Sequence, residues 1–471
     1  MISLRRALLV SIATLIATAA GAAGIELPEY ERVELPNGTI LLLSEKHDVP
    51  LIGLRADIRG GAVADPDDRG GLASLFAGLL EYGASDRDAA AFAEAVASVG
   101  GELSVSGGLE SITISANFVS RDVELMLELV TDMLQRPALT EEEFTKLRDR
   151  SVNLIKAAKG SNPGNLLPSY GRAFLFDAHP YGNPIDGSET SLAEITHEEM
   201  LSYYEDHVGG DRLIVAVVGD FNAVAMKQRL TAILGNWRAA AIELDATPAP
   251  EKRPGRRILL IDKPGATQAN FWIGNVGVGI DYERRAELDI ANTVFGGRFT
   301  SMLNNALRIE SGLTYGAWSI LQQLAAGGFV AISTFSETET TTEAIDMSLD
   351  LLESLRDSGI DNPMITSARN YIMGQFPPRL ETASQLASQL ARLELFGLDA
   401  DYVNGYVAAL EAAAAEGIAD TINEVYPSAD DVAFVVIGDA AQLREPLAEY
   451  APVTEMSIDA PRFRVTTADQ Q

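Results

Sequence analysis

Two copies of one pattern constrain this chain more than any other feature. A strand-like LIVAVV ends in Gly219-Asp220, and a strand-like AFVVI ends in Gly438-Asp439, 219 positions later. At nearly the same offset the apolar-periodic segment Arg121 to Leu134 is answered by Thr341 to Leu355. Glu141 to Ile155 is answered in the same way by Asp361 to Gln375. Three matched elements at one offset indicate an internal duplication. The clearest break between the copies is Glu243 to Arg256, ELDATPAPEKRPGR, rich in proline and charge and poor in periodic apolar residues. With 471 residues the chain exceeds one ordinary hydrophobic core. The reading is therefore a leader (1–23), a first domain (24–242), a linker (243–256) and a second domain (257–471).

Each copy mixes strands and helices. Arg32 to Leu43 and Leu51 to Ile58 alternate as strands, with Pro36-Asn37-Gly38 as the turn within the first. Asp88 is placed to cap a helix whose Phe92, Val96 and Val99 share a face and which Gly100-Gly101 ends. Glu102 to Phe118 reads as a strand pair. Thr140-x-x-Glu143 and Thr196-x-x-Glu199 are capping-box patterns. Strands and helices grouped in runs predict an α+β fold of two duplicated halves, each a mainly antiparallel sheet with helices packed on one face.

The first residues have the form of a secretory signal peptide. Arg5 and Arg6 precede an apolar run from Ala7 to Ala19, and Ala20-Gly21-Ala22-Ala23 offers small-residue cleavage sites. The run is short and alanine-rich for a spanning helix, so stable membrane insertion is not expected. A chain with no cysteine forms no disulfide and has no thiol for lipid attachment, which fits a periplasmic address. The formal net charge is −31 and becomes more negative when the leader, with its two arginines, is removed. Such a field repels nucleic acid and anionic lipid and favours basic peptides. It equally describes an acidic, well-solvated surface.

Two segments carry chemistry. One is GLASLFAGLLEYG, Gly71 to Gly83; the other is FGGRFTSMLNNALRIESGLTY, Phe295 to Tyr315. Together they resemble the pitrilysin/insulinase-type zinc metallopeptidases, in the half-size, two-subunit branch that includes the mitochondrial processing peptidase. The resemblance extends from the LPNGT segment at Leu35 to the strand end at Gly438-Asp439. In that branch one subunit carries zinc, and its partner carries none but lends an Arg/Tyr pair.

Active members bind zinc through an H-x-x-E-H motif on a helix, with a third ligand, a glutamate, from a later helix. The resemblance places Ser74, Ala77 and Gly78 at the first histidine, the glutamate and the second histidine. Asn153-Leu154-Ile155 covers the third ligand within a residue or two. None of these side chains is an imidazole or a carboxylate. The chain's four histidines are His47, His179, His197 and His207, and they offer no substitute set. His197-Glu198 starts like H-E-x-x-H, but its fifth position is Leu201. Glu81 reads as a helix-end surface residue and Tyr82 as packing.

In the second segment Ser301 to Ser311 has helical spacing, with Leu303 and Leu307 available to a core. Gly312 suits a left-handed helix stop, and TYGAWSI reads as a strand. The resemblance maps Arg308 and Tyr315 onto the family's substrate clamp. An arginine donates two bonds to a carbonyl or carboxylate, and a tyrosine hydroxyl donates to an oxygen that turns negative. Spacing alone fits an arginine at a helix C-terminus and a tyrosine packed in a sheet equally well. Phe295-Gly296-Gly297, Ser301-x-Leu303 and Gly312 to Gly316, in family order, favour the clamp. Met302 departs from the arginine usual in active relatives. Gly296-Gly297 corresponds to a flexible glycine loop of the non-catalytic subunit, although a turn between helices explains the pair equally well.

The resemblance thus implies a zinc-free, non-catalytic subunit that binds no cofactor of its own. Zinc is expected in a partner of the same family bearing H-x-x-E-H, and the shared ligands are peptides. The alternative is a peptide-binding or scaffold protein that works without a protease partner.

Overall fold

A computed structural model describes residues 26–466; the signal-peptide reading concerns residues outside this range. The first half runs β1 (Glu31–Glu34), β2 (Ile40–Glu45), β3 (Leu51–Arg59) and α1 (Leu72–Leu79). A two-residue hairpin follows, β4 (Gly83–Ala84) and β5 (Arg87–Asp88), then α2 (Ala89–Ser98), β6 (Glu102–Gly107) and β7 (Ser111–Val119). It continues with α3 (Val123–Gln135), α4 (Glu141–Ser161), α5 (Leu167–Phe176), α6 (Glu189–Glu194), α7 (His197–His207), β8 (Leu213–Gly219) and α8 (Ala223–Leu234).

The second half runs β9 (Arg257–Asp262), β10 (Gln268–Gly277), α9 (Arg285–Phe295), α10 (Met302–Asn304), β11 (Ala317–Leu324) and β12 (Gly327–Glu337). After α11 (Thr341–Ser358), α12 (Asn362–Gln375), α13 (Ala383–Leu395) and three shorter helices come β13 (Ala433–Gly438) and β14 (Val453–Ser457).

The halves form two six-stranded sheets, ordered β1-β2-β8-β3-β7-β6 and β14-β9-β13-β10-β12-β11. Aligned this way, five strands correspond in order and direction: β2 with β9, β8 with β13, β3 with β10, β7 with β12, and β6 with β11. In each sheet the first two of these pair parallel and the rest antiparallel. The outer strands differ, because β1 precedes β2 and pairs antiparallel, whereas β14 ends its half and pairs parallel to β9. The duplication read from the sequence is therefore present in the topology. Residues 239–256 hold no regular element, although the stretch is tied down by an Arg253–Asp177 ion pair at 2.5 Å.

Helices of each half pack on one face of its own sheet, α1, α3 and α8 in the first half and α9 and α11 in the second. The opposite face is covered by a helix from the other half, which the sequence did not announce. Ile40, Leu42, Ile214, Ala216 and Val218 pack against α13 through Leu386, Ala387 and Leu390. Reciprocally, α5 of the first half lies across β10 and β13, joining Trp272, Val435 and Ile437 to the first half's core. Central strands are thus buried on both faces, which is why LIVAVV and AFVVI read as continuous apolar runs rather than alternating ones.

The exchange depends on close approach. A Cβ at Gly171 of α5 would sit 2.2 Å from Trp272 Cε3, and Trp272 is 4% exposed. Gly171→Ala gains about 1 kcal/mol of helix propensity, but it overpacks a ring with nowhere to go. The expected net result is destabilisation by about 1–3 kcal/mol, read as a lower midpoint in denaturant unfolding. A midpoint at or above wild type would show that the half-to-half contact is loosely packed.

Candidate functional site

α1 is started by a buried carboxylate: Asp65 accepts N–H bonds from Gly71 and Ala73, each at 2.8 Å. Burial pushes the Asp65 carboxyl up to about 8, against the downward pull of those N–H bonds. These bonds satisfy donors that a helix start leaves open. Along α1 the apolar Leu72, Leu75, Phe76 and Leu79 turn to the core.

Ser74 and Gly78 face a cavity of about 480 Å3, while Ala77 is fully buried. Ser74 Oγ donates to Asp186 Oδ1 at 3.1 Å. A Cβ at Gly78 would lie 2.9 Å from Leu147 Cδ2, so leucine packs against the face of α1 from which any side chain at this position would project. On α4 the cavity-facing positions include Leu147, Ser151, Leu154, Ile155 and Ala158, one helical stripe. Of the three residues Asn153-Leu154-Ile155, Leu154 and Ile155 face the cavity and Asn153 does not line it. A zinc ion needs three or four imidazole, thiolate or carboxylate donors. Among the described residues Asp186 supplies the one carboxylate in the lining, so the donor set does not fit the metal.

The histidines are dispersed. His47 Nδ1 lies 2.8 Å from Asp220 Oδ1 on the surface, and hydrogen bonds to Asp220 and Glu45 raise its pKa. His179 bonds the carbonyl of Pro248, and His197, in the first turn of α7, bonds that of Leu139. Burial, then the charge of Arg212, lowers the pKa of His207. Among the described residues no group of three or more His, Asp or Glu side chains is placed to hold a metal ion.

Three features of this site were not visible in the sequence. Glu81, exposed as expected, also accepts the Val105 N–H of edge strand β6 at 2.7 Å. Asp186 comes from a loop that no motif marks. The third is the C-terminal strap, which returns to the first half. Lys159 Nζ bonds Glu189 at 2.5 Å and the Ala460 carbonyl at 2.7 Å, and Phe463 walls the cavity while meeting Tyr170 edge-on at 4.8 Å.

The Arg/Tyr segment lies elsewhere, beside edge strand β11, and none of residues 295–316 lines the cavity. The expected regular helix is corrected here. Ser301 caps the short α10, and Asn305–Glu310 then forms a π-helical turn, with the Ser311 N–H reaching back five residues to Ala306. Leu303 and Leu307 are buried as predicted. Gly312 is left-handed, with φ of 72°, and reverses the chain toward β11.

Arg308 carries its guanidinium 4.8 Å from the centre of the Phe299 ring and forms no ion pair among the described residues. Tyr315 is 78% exposed. Phe299, Ile309 and Trp318 are exposed near it in the chain, giving this segment an unusually apolar surface. Gly296 is buried, and a Cβ there would lie 2.1 Å from the Ser319 backbone nitrogen. Both Gly296 and Gly297 donate N–H bonds to the Asn292 carbonyl. Gly296 is packed at the end of α9 against β11, whereas Gly297 is exposed.

Comparison with known proteins agrees with this architecture. Residues 41–188 match the insulinase (peptidase family M16) domain, and residues 194–371 match the peptidase M16 inactive domain. An uncharacterized zinc protease of Mycobacterium tuberculosis is 27% identical over 350 residues, covering 73% of this chain and 77% of the relative. A non-peptidase homolog of Helicobacter pylori is 20% identical over 401 residues, covering 85% and 91%. Among solved structures, a peptidase M16 inactive domain from Pseudomonas fluorescens superposes with a TM-score of 0.81 at 19% identity, covering 87% of this chain and 98% of that one. A protease from Helicobacter pylori gives 0.79 at 18%, covering 88% and 100%. The names of these relatives span proteases and a non-peptidase, so the site residues must decide the role. The chain belongs to the M16, insulinase-type, peptidase family.

Proposed function

We propose that this chain is a zinc-free, non-catalytic M16 subunit that completes the active site of an H-x-x-E-H partner. One observation carries the reading: imidazole and carboxylate donors are missing from α1, while exposed Tyr315 and half-buried Arg308, which stacks on Phe299, form no ion pair or side-chain hydrogen bond among the described residues. In the complex, Arg308 donates to a carbonyl or carboxylate of the peptide. Tyr315 donates to the oxygen that becomes negative as the scissile carbonyl turns tetrahedral. The partner supplies zinc and the glutamate base. The leader and the lack of cysteine support a periplasmic setting.

The competing reading is a peptide-binding scaffold acting without a protease, and the open cavity at α1 favours it. Co-expression separates the two. Co-expressed with the H-x-x-E-H relative of its own organism, the chain is expected to elute with it as a stable one-to-one complex in size-exclusion chromatography. Separate elution at micromolar concentration would return the chain to the scaffold reading.

A further inference from the structure

We propose that the cavity at α1 is a metal-independent binding pocket for a cation carried on an aliphatic stem: the amino terminus of a peptide with an apolar first residue, or a lysine side chain. The inference rests on this cavity alone and needs no protease partner.

The volume of about 480 Å3 lies in the range of specific small-ligand sites. Much of the wall is apolar, from Leu75, Leu147, Ile155 and Phe463. Asp186 is the only charged side chain in the lining among the described residues. The Ser74 hydroxyl holds Asp186 Oδ1, and Oδ2 has no protein partner among the described residues. The carboxylate is thus oriented but not neutralised. Arg172 lies near enough to feel its charge without pairing with it, and burial lowers the pKa of that arginine.

Ser106, Ser151, Ser169 and Asn165 also line the cavity, and their side chains make no hydrogen bond within the described residues. They are available to a peptide backbone. An ammonium group at exposed Asp186, with its methylenes along the apolar wall, leaves the charge solvated and the stem buried. The formal net charge of −31 adds a long-range attraction for such ligands. An anionic ligand is repelled by the carboxylate, and a ligand without an apolar part leaves the apolar wall uncovered.

The test is calorimetric titration of the purified chain alone, at low salt, with three probes. Leu-Leu-Leu-amide has a free amino terminus, acetyl-Leu-Lys-Leu-amide has a lysine only, and acetyl-Leu-norleucine-Leu-amide has no cation. At least one cationic probe is expected to bind ten-fold or more tighter than the uncharged one, and which of them does so identifies the source of the cation. Asp186→Asn, at an exposed position, is expected to remove that ten-fold preference without changing the melting temperature. Ser151→Phe, which fills the cavity, is expected to weaken all three probes. Equal binding of charged and uncharged probes, no saturable binding, or a preference untouched by Asp186→Asn would overturn the proposal. Because no partner is present, such a failure leaves the Arg308/Tyr315 reading standing.

Discussion

Purified alone, this chain is expected to contain no stoichiometric zinc and to cleave no peptide, with or without added metal. The expectation follows from donor chemistry. Ser74, Ala77 and Gly78, the positions that the family resemblance aligns with H-x-x-E-H, present a hydroxyl, a methyl group and no side chain, and a zinc site of that kind requires two imidazoles and a general base. Leu147 and Ile155 surround that position with hydrocarbon, and the lone carboxylate, Asp186, is held by Ser74. Rebuilding a site would take more than one substitution. Even Gly78→His must displace Leu147, whose Cδ2 lies 2.9 Å from the Cβ it would introduce. Elemental analysis of the purified chain, with a peptidase assay before and after chelation, checks this. One tightly held zinc per chain with chelator-sensitive hydrolysis would contradict it.

The second large effect belongs to the clamp. In a reconstituted complex, Arg308→Ala and Tyr315→Phe are each expected to lower peptide hydrolysis by about 10²-fold while leaving complex yield unchanged. That magnitude is typical for loss of one donor to a developing oxyanion. The structure makes the comparison clean. Tyr315 is 78% exposed and its hydroxyl bonds nothing in the described chain, so removing that oxygen disturbs no packing. Arg308 gives up a stacking contact with the exposed Phe299 ring, an interaction of about 0.5–1 kcal/mol at such a site. A folding defect is therefore not expected from either change. Wild-type hydrolysis by both variants, at unchanged complex yield, would assign the pair to structure.

Much of this architecture was legible because the sequence signals were local and mutually consistent. Asp88 and Thr196 cap the helices expected of them, and Gly38 takes the left-handed turn between β1 and β2. The repeated Gly-Asp strand ends mark β8 and β13, which occupy corresponding places in the two sheets.

What stayed hidden depends on distance or on small geometric choices. The periodicity of α5 and α13 reveals an apolar face but not which sheet that face covers. The answer is the other half's sheet, and it emerges only when both halves are assembled. Six residues are too few for periodicity to separate an α turn from the π turn at Asn305–Glu310. Leu147 and Ile155 belong to one helix, whereas Asp186 and Phe463 reach the cavity from loops that no pattern connects to α1. Gly296 could be read as a loop glycine because close approach to Ser319 leaves no trace in sequence.

The central claim is that this chain completes another subunit's active site. It is tested most directly by measuring peptide hydrolysis by the purified H-x-x-E-H partner as this chain is titrated in. The account predicts little activity from the partner alone, a rise that saturates at one chain per partner, and no comparable rise with the Arg308→Ala chain. Full activity of the partner in the absence of this chain would contradict it.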